Sequence, residues 1–124
     1  MRQYLKKRAA AFGYAFKGIG DLLLHHPHAH LHALATVIVV CLACFFPISR
    51  LEWILLILCM GMVWSAEAFN TAIEYLTDLV SPGYHPLAGK AKDMASGAVL
   101  FTAIATALVG FLIFYPHLRQ YFTS

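Results

Sequence analysis

Charge is scarce in this chain of 124 residues: Asp and Glu number six, Lys and Arg nine, and the hydrophobic share is 60%. With a mean hydropathy of +0.69, a soluble domain of this size would have to expose much of its apolar surface. A membrane class is favoured instead. Cysteine is also sparse. Cys41, Cys44 and Cys59 all fall inside apolar runs, and "CLAC" lacks the second ligand pair of a zinc site, so the thiols read as apolar packing. No Walker-type or kinase-type glycine-rich loop is present, which excludes the familiar soluble nucleotide-binding folds. Internal repeats are absent, and a histidine run is the one stretch of low complexity.

The apolar residues collect into three runs, Leu31–Ile48, Trp53–Phe69 and Met94–Tyr115. Each fits the ~17–25 residues of a helical bilayer crossing. The spacing predicts one integral-membrane domain over 1–124: a surface helix at 1–26 and membrane helices at 29–48, 52–78 and 88–116. In the surface helix Leu5, Ala9, Phe12, Phe16, Ile19 and Leu23 recur at intervals of three and four, an apolar stripe for the membrane interface or a partner subunit. Pro27 ends it, "FPISRLEW" makes a tight far-side connection with Trp53 as interfacial anchor, and "SPGYHPLAGKAKD" opens as a loop. Arg2, Lys6, Lys7, Arg8, Lys17, Lys90 and Lys92 lie on one side of the spans, and Arg50 and Arg119 on the other. That bias predicts a multi-pass protein with its N-terminus and 75–93 loop in the cytoplasm. The net charge of +3 reads as orientation and attraction to lipid headgroups, with no sign of nucleic acid.

One stretch contradicts a purely structural membrane helix. In "SAEAFNTAIEYLTD" each residue turns a helix by about 100°, so Glu67, Asn70, Glu74 and Asp78 share one narrow face. Asp78 alone could be a polar helix end, but Glu67 still lies within the apolar run. Ionisable groups at that depth face a partner, a cavity or water. Carboxylates and an amide oxygen are hard ligands suited to magnesium, and magnesium suggests phosphates. Lys92, beside Asp93 at the start of the third span, reads either as a point charge for a phosphate or as a positive-inside anchor.

At these residues a family becomes visible. "EAFNTAIEYLTDLVSPGYHPLAGKAKDMASGAVL" (67–100) resembles the prokaryotic diacylglycerol kinase and undecaprenol kinase family, marked by E-x-x-N-[ST]-A-I-E, a Tyr-His motif and Ala-Lys-Asp before the last span. "FGYAFKGI" (12–19) resembles its surface-helix signature. The resemblance implies an all-α homotrimer of three-span subunits in the bacterial inner membrane, with composite active sites on the cytoplasmic side. It implies transfer of the γ-phosphate of magnesium-ATP to a lipid hydroxyl. Glu67 would be the general base. Glu74 would hold the metal, supported by Asn70. Lys7, Tyr14, His26, Glu74, Gly83, Tyr84, His85, Lys92 and Asp93 would contact ATP, and Glu67 and Ser96 the lipid. "YHPLAGKAKD" looks more like the undecaprenol kinases than the diacylglycerol kinases, whose motif commonly has an acid after the histidine. Undecaprenol is therefore slightly favoured, with diacylglycerol as the alternative.

The histidine run departs from the family pattern. Five of the seven histidines, His25, His26, His28, His30 and His32, fall in "LLHHPHAHLHAL". The family resembles E-x-N-x-x-x-H here, its glutamate being a second metal ligand; aligned on His32, His26 takes the glutamate's place and His28 the asparagine's. Imidazole is a poor magnesium ligand and a good one for zinc, copper or nickel. The site could work with His26 on phosphate or water, or lose activity, or the run could bind a transition metal through His28 and His32. A non-enzymatic metal-binding membrane protein is the rival reading.

Overall fold

Pro27 decides the first corner of the molecule. The residue before a proline is pushed out of the helical region, and His26 lies extended, at φ −114° and ψ 107°. Proline itself is well placed in the first turn of a helix, where its missing N–H costs nothing. A single residue therefore separates α1 (Arg2–His25) from α2 (Pro27–Phe45). The computed structural model describes residues 1–123; its remaining helices are α3 (Arg50–Val80) and α4 (Pro86–Thr123), and no strand occurs among the described residues.

The other boundaries have local causes too. Ser49-Arg50-Leu51-Glu52 forms a capping box at the start of α3. The Glu52 N–H donates to Ser49 Oγ at 3.2 Å, and the Ser49 N–H donates to Glu52 Oε2 at 2.6 Å, satisfying two of the free donors of the helix start. At the other end Pro82 and Gly83 hold the chain in a short loop, and His85 Nδ1 accepts the Leu87 N–H at 3.2 Å as α4 begins. α4 runs through Pro116 to Thr123, seven residues beyond the expected limit at 116. A proline inside a helix removes one hydrogen bond, but contacts hold the helix on its far side. His117 lies 3.2 Å from Glu52 and stacks on Phe46, while the Tyr121 ring meets Phe45 and Phe46.

α3 and α4 lie antiparallel and form the most extensive pair; α1 and α2 touch the rest over short stretches. The tightest packing is at the far end, where Ala43 and Phe46 meet Leu56, Ile113 and Phe114. Trp53, expected as an interfacial anchor, also packs against this cluster. Elsewhere large apolar side chains such as Ile38, Leu58 and Leu108 point outward. α2, α3 and α4 are each long and apolar enough to cross a bilayer, so this is an all-α membrane protein whose outward faces are solvated by hydrocarbon. α1 presents Ala15, Gly18, Ile19 and the buried Leu22 to Ala68, Thr71, Ala72 and Tyr75 of α3. Phe12, Phe16 and Leu23 of the stripe stay open, available to the interface of the bilayer.

Leu56 is 1% exposed at the centre of the far-end cluster. Leu56→Ala is expected to destabilise the folded protein by about 2–5 kcal/mol, measured as unfolding in mixed micelles against the parent chain.

Candidate functional site

The polar face of α3 is graded in depth. Glu67 is 3% and Asn70 7% exposed, Glu74 is half-buried, and Asp78 is exposed. Because α4 runs antiparallel beside it, residues one turn apart on α4 meet this face in reverse order. Lys92 pairs with Asp78, and Ser96 Oγ points at Asn70 Oδ1 from 3.5 Å, the limit of hydrogen-bond reach. The Asn70 amide donates to Glu74 Oε1 at 3.1 Å. Glu67, Asn70, Glu74 and Ser96 line a cleft of about 330 Å³ that α2 closes with His28, Leu31 and His32. His32 Nε2 stands 2.9 Å from Glu67 Oε1. Deeper in the membrane-spanning bundle lies a second, mostly apolar cavity of about 360 Å³, sharing Leu31, His32 and Ala103 with the first and continuing past Val39, Val63 and Gly110. The buried Glu67 lines the first cavity, and its neighbour His32 belongs to both.

The histidine run does not act as one row. The extended backbone at His26 turns the imidazoles in different directions. His25 Nδ1 reaches back to Asp21 at 3.1 Å, His30 Nε2 donates to the Leu23 carbonyl at 2.7 Å, and His28 and His32 face the cleft. His26 turns to the seam between α1 and α3. There the Tyr75 hydroxyl donates to Asp21 Oδ2 at 2.6 Å and accepts from His26 Nε2–H at 2.8 Å, with the two rings edge to face. Among the described residues no three His, Cys, Asp or Glu side chains assemble as a metal-binding group. The run therefore offers no transition-metal cage. Glu74, Glu67 and the Asn70 oxygen form a sparse, hard, oxygen-rich donor set. That set fits a magnesium ion, which is usually held by one or two carboxylates together with substrate phosphates.

Of the residues singled out in the sequence, the cleft gathers Glu67, Asn70, Glu74 and Ser96. Lys92 and Asp78 continue the same face outward. His26 lies at the α1–α3 seam. Lys7 and Tyr14 stand exposed on α1, Tyr14 beneath the Lys17 ammonium at 6.0 Å. Gly83 and Tyr84 are exposed in the loop, His85 caps α4, and Asp93 is exposed. Sequence reasoning missed the contact between His32 and Glu67. The one-turn spacing of His28 and His32 was the available signal, but it read as chelation; a partner 35 residues away along the chain leaves no local trace.

The Tyr75 hydroxyl, more than any other group, holds the Asp21 carboxyl below its ordinary value of 3.8; slight burial opposes it and His25 assists. A depressed carboxyl stabilises the fold above its unfolded value, and the contribution disappears as pH falls through the folded value. The α1–α3 seam should therefore be intact at neutral pH and loosen below about pH 4. Tyr75→Phe is expected to speed amide exchange over residues 18–25 roughly two- to tenfold, the scale of one net hydrogen bond. It should also blunt the acid dependence of that exchange. Hydrogen exchange at two pH values checks both.

Comparison with known proteins matches residues 13–114 to the model of the prokaryotic diacylglycerol kinase family. An undecaprenol kinase of Bacillus subtilis (strain 168) is 36% identical over 117 residues, covering 94% of this chain and 95% of that protein. A diacylglycerol kinase of Escherichia coli (strain K12) is 31% identical over 107 residues, covering 86% and 88%. A diacylglycerol kinase of Helicobacter pylori (strain ATCC 700392 / 26695) is 43% identical over 68 residues, covering 55% and 53%.

Proposed function

The chain belongs to the prokaryotic diacylglycerol kinase family, and from that premise we propose that it transfers the γ-phosphate of magnesium-ATP to the hydroxyl of a membrane lipid. The observation that carries this reading is the position of Glu67, a buried carboxylate that lines the cleft and lies against His32, a residue the cleft shares with the apolar groove. A lipid alcohol has that same division. Its chain lies in the groove past Val39, Val63 and Gly110, and its hydroxyl arrives at Glu67 and Ser96.

Phosphoryl transfer asks a protein for positioning and charge neutralisation more than for covalent chemistry. Glu67 takes the hydroxyl proton as the lipid oxygen attacks the γ-phosphorus, and the bond to the bridging oxygen of ADP breaks. Glu74 would hold the magnesium ion of the nucleotide, with Asn70 orienting Glu74 through their hydrogen bond. The ion neutralises charge on the phosphate oxygens when bound. Lys92 exchanges Asp78 for phosphate, and Asp93, Gly83, Tyr84 and His85 contact the nucleotide from the loop and the start of α4. Lys7 and Tyr14 lie on the part of α1 that stands away from this chain's own cleft. Their placement, together with the open apolar faces of the spans, supports a homotrimer in which neighbouring subunits complete each site. His26, engaged by Tyr75, holds the corner of α1 and contributes nothing to the metal.

The excess of basic residues on the N-terminal and 75–93 side supports a cytoplasmic active site in the bacterial inner membrane. Undecaprenol ranks slightly ahead of diacylglycerol as substrate. Pro86 after His85 supports that order, as does the extent of the match to the undecaprenol kinase.

The test is to incubate the purified protein in lipid with labelled ATP and magnesium, offering undecaprenol and diacylglycerol in parallel. Label is expected in the lipid, more in undecaprenol, and Glu67→Ala should lower the rate on the order of a hundredfold or more. Glu74→Ala should raise the magnesium concentration needed for half-maximal rate. Full activity in both variants would overturn the assignment.

A further inference from the structure

The mechanism above leaves one close contact of the cleft unused. His32 Nε2 lies 2.9 Å from Glu67 Oε1, on a carboxylate that is 3% exposed. A charge so far from water is costly unless a donor faces it, and of the cleft-lining residues the neighbours of Glu67 are unequal to that task. α4 presents Val99, Leu100 and Ala103, with no donor, and Ser96, whose hydroxyl points at Asn70. α3 presents Asn70, whose amide donates to Glu74, and Glu74 itself, an acceptor. α2 presents His28 and His32, and His32 is the one at hydrogen-bond distance. Opposite a carboxylate, Nε2 carries the proton and donates it.

His32 is itself braced. The Thr36 hydroxyl, one turn along α2, donates to the His32 carbonyl at 2.7 Å, and the Trp64 indole of α3 donates to that hydroxyl at 3.1 Å. Trp64 stands three residues before Glu67 on α3. The two links therefore join adjacent turns of the same two helices, and they fix where His32 stands relative to Glu67.

We propose that His32 is a positioning residue for Glu67. Its Nε2–H occupies Oε1, stops the carboxylate from rotating, and leaves Oε2 as the acceptor for the lipid hydroxyl. The inference rests on the reading of Glu67 as the base. In the step itself the lipid O–H bond breaks and its proton passes to Oε2. The oxygen lone pair forms the new bond to phosphorus, and the bond to ADP breaks with its electrons. His32 keeps its proton throughout and serves as a fixed donor, since the neutral acid formed at Oε2 still accepts at Oε1. A side chain that supplies the same donor without the ring should therefore replace it. Glutamine qualifies, because its amide nitrogen can stand close to the place of Nε2.

The experiment measures steady-state kinetics of the full-length protein in lipid, for the parent chain, His32→Gln, His32→Leu, Glu67→Gln and the double variant His32→Leu/Glu67→Gln. His32→Leu is expected to lower kcat roughly ten- to a hundredfold, the cost of losing a group that orients a reacting one. Its KM for magnesium-ATP should stay within about twofold, since the nucleotide keeps its contacts. His32→Gln should recover most of the lost kcat. The double variant should be no slower than Glu67→Gln alone, because His32 acts through Glu67. A His32→Leu enzyme as fast as the parent overturns the proposal while Glu67→Gln remains inactive. So does a glutamine variant as slow as the leucine one, or an additive loss in the double variant. A fully active Glu67→Gln instead overturns the base assignment and the inference with it. Should His32→Leu fail to assemble, His32→Asn, whose shorter amide falls short of Oε1, takes its place with the same expected loss.

Discussion

The arrangement depends on one constraint, the cost of keeping a carboxylate charged within a membrane helix. An ionised group surrounded by hydrocarbon is unstable unless neighbours replace the water it has lost. Glu67 meets that condition through three helices. α3 carries it, α2 brings His32 to one oxygen, and α4 supplies the wall with Ser96 at its rim. None of these groups is near Glu67 in sequence except through the helix that bears it. The relative placement of α2, α3 and α4 therefore counts as part of the chemistry as well as of the fold.

That placement is also supported at the opposite end of the bundle. The far-end cluster of Ala43, Phe46, Leu56, Ile113 and Phe114 holds the three spans together, and the capping box at Ser49 with the His117–Glu52 contact fixes the first turn of α3. From there the helices run toward the polar end with cavities between them, one almost wholly apolar and one that mixes apolar walls with the carboxylates and imidazoles. An apolar cluster at one end and cavities between the spans toward the other suit a lipid kinase. The exposure of α3's polar residues rises from Glu67 to Asp78, so the site also passes from a dry environment, where charges act strongly, to a wet one, where a nucleotide can enter.

Much of this was legible in the sequence because it is local. The three spans, the break at Pro27, the loop around Pro82 and the shared face of Glu67, Asn70 and Glu74 follow from periodicity and from the properties of proline. Ser49-Arg50-Leu51-Glu52 carries the capping-box signature, and its reading as a plain connection undersold it. What was illegible depends on pairs distant in the chain. The last helix was expected to end at 116, but His117 and Tyr121 have partners at Glu52, Phe45 and Phe46 that carry it further. The stripe of α1 gave its apolar side but not its contact line, which lies on Ala15, Gly18, Ile19 and Leu22. Those residues line a shallow groove against α3, with Leu22 alone buried in it.

The histidine run shows why residue type alone misleads. Five imidazoles within eight positions suggest shared metal chemistry, yet one extended residue before Pro27 sends them to different partners. His26 is the informative case. The family resemblance puts a metal-binding acid at this position, and an imidazole would serve magnesium poorly there. Its ring lies against Tyr75 instead, and Tyr75 in turn binds Asp21. This connects the corner of α1 to the residue following Glu74. A side chain useless as a hard ligand can still be useful as a donor, and a tyrosine whose proton is committed to an aspartate requires a donor. In the proposed mechanism the missing acid leaves Glu74 and the nucleotide's own phosphates to hold the metal, which is within the usual habit of magnesium. The same run then supplies two donors, His26 to the seam and His32 to Glu67, so its contribution to the site lies in hydrogen bonds and in geometry.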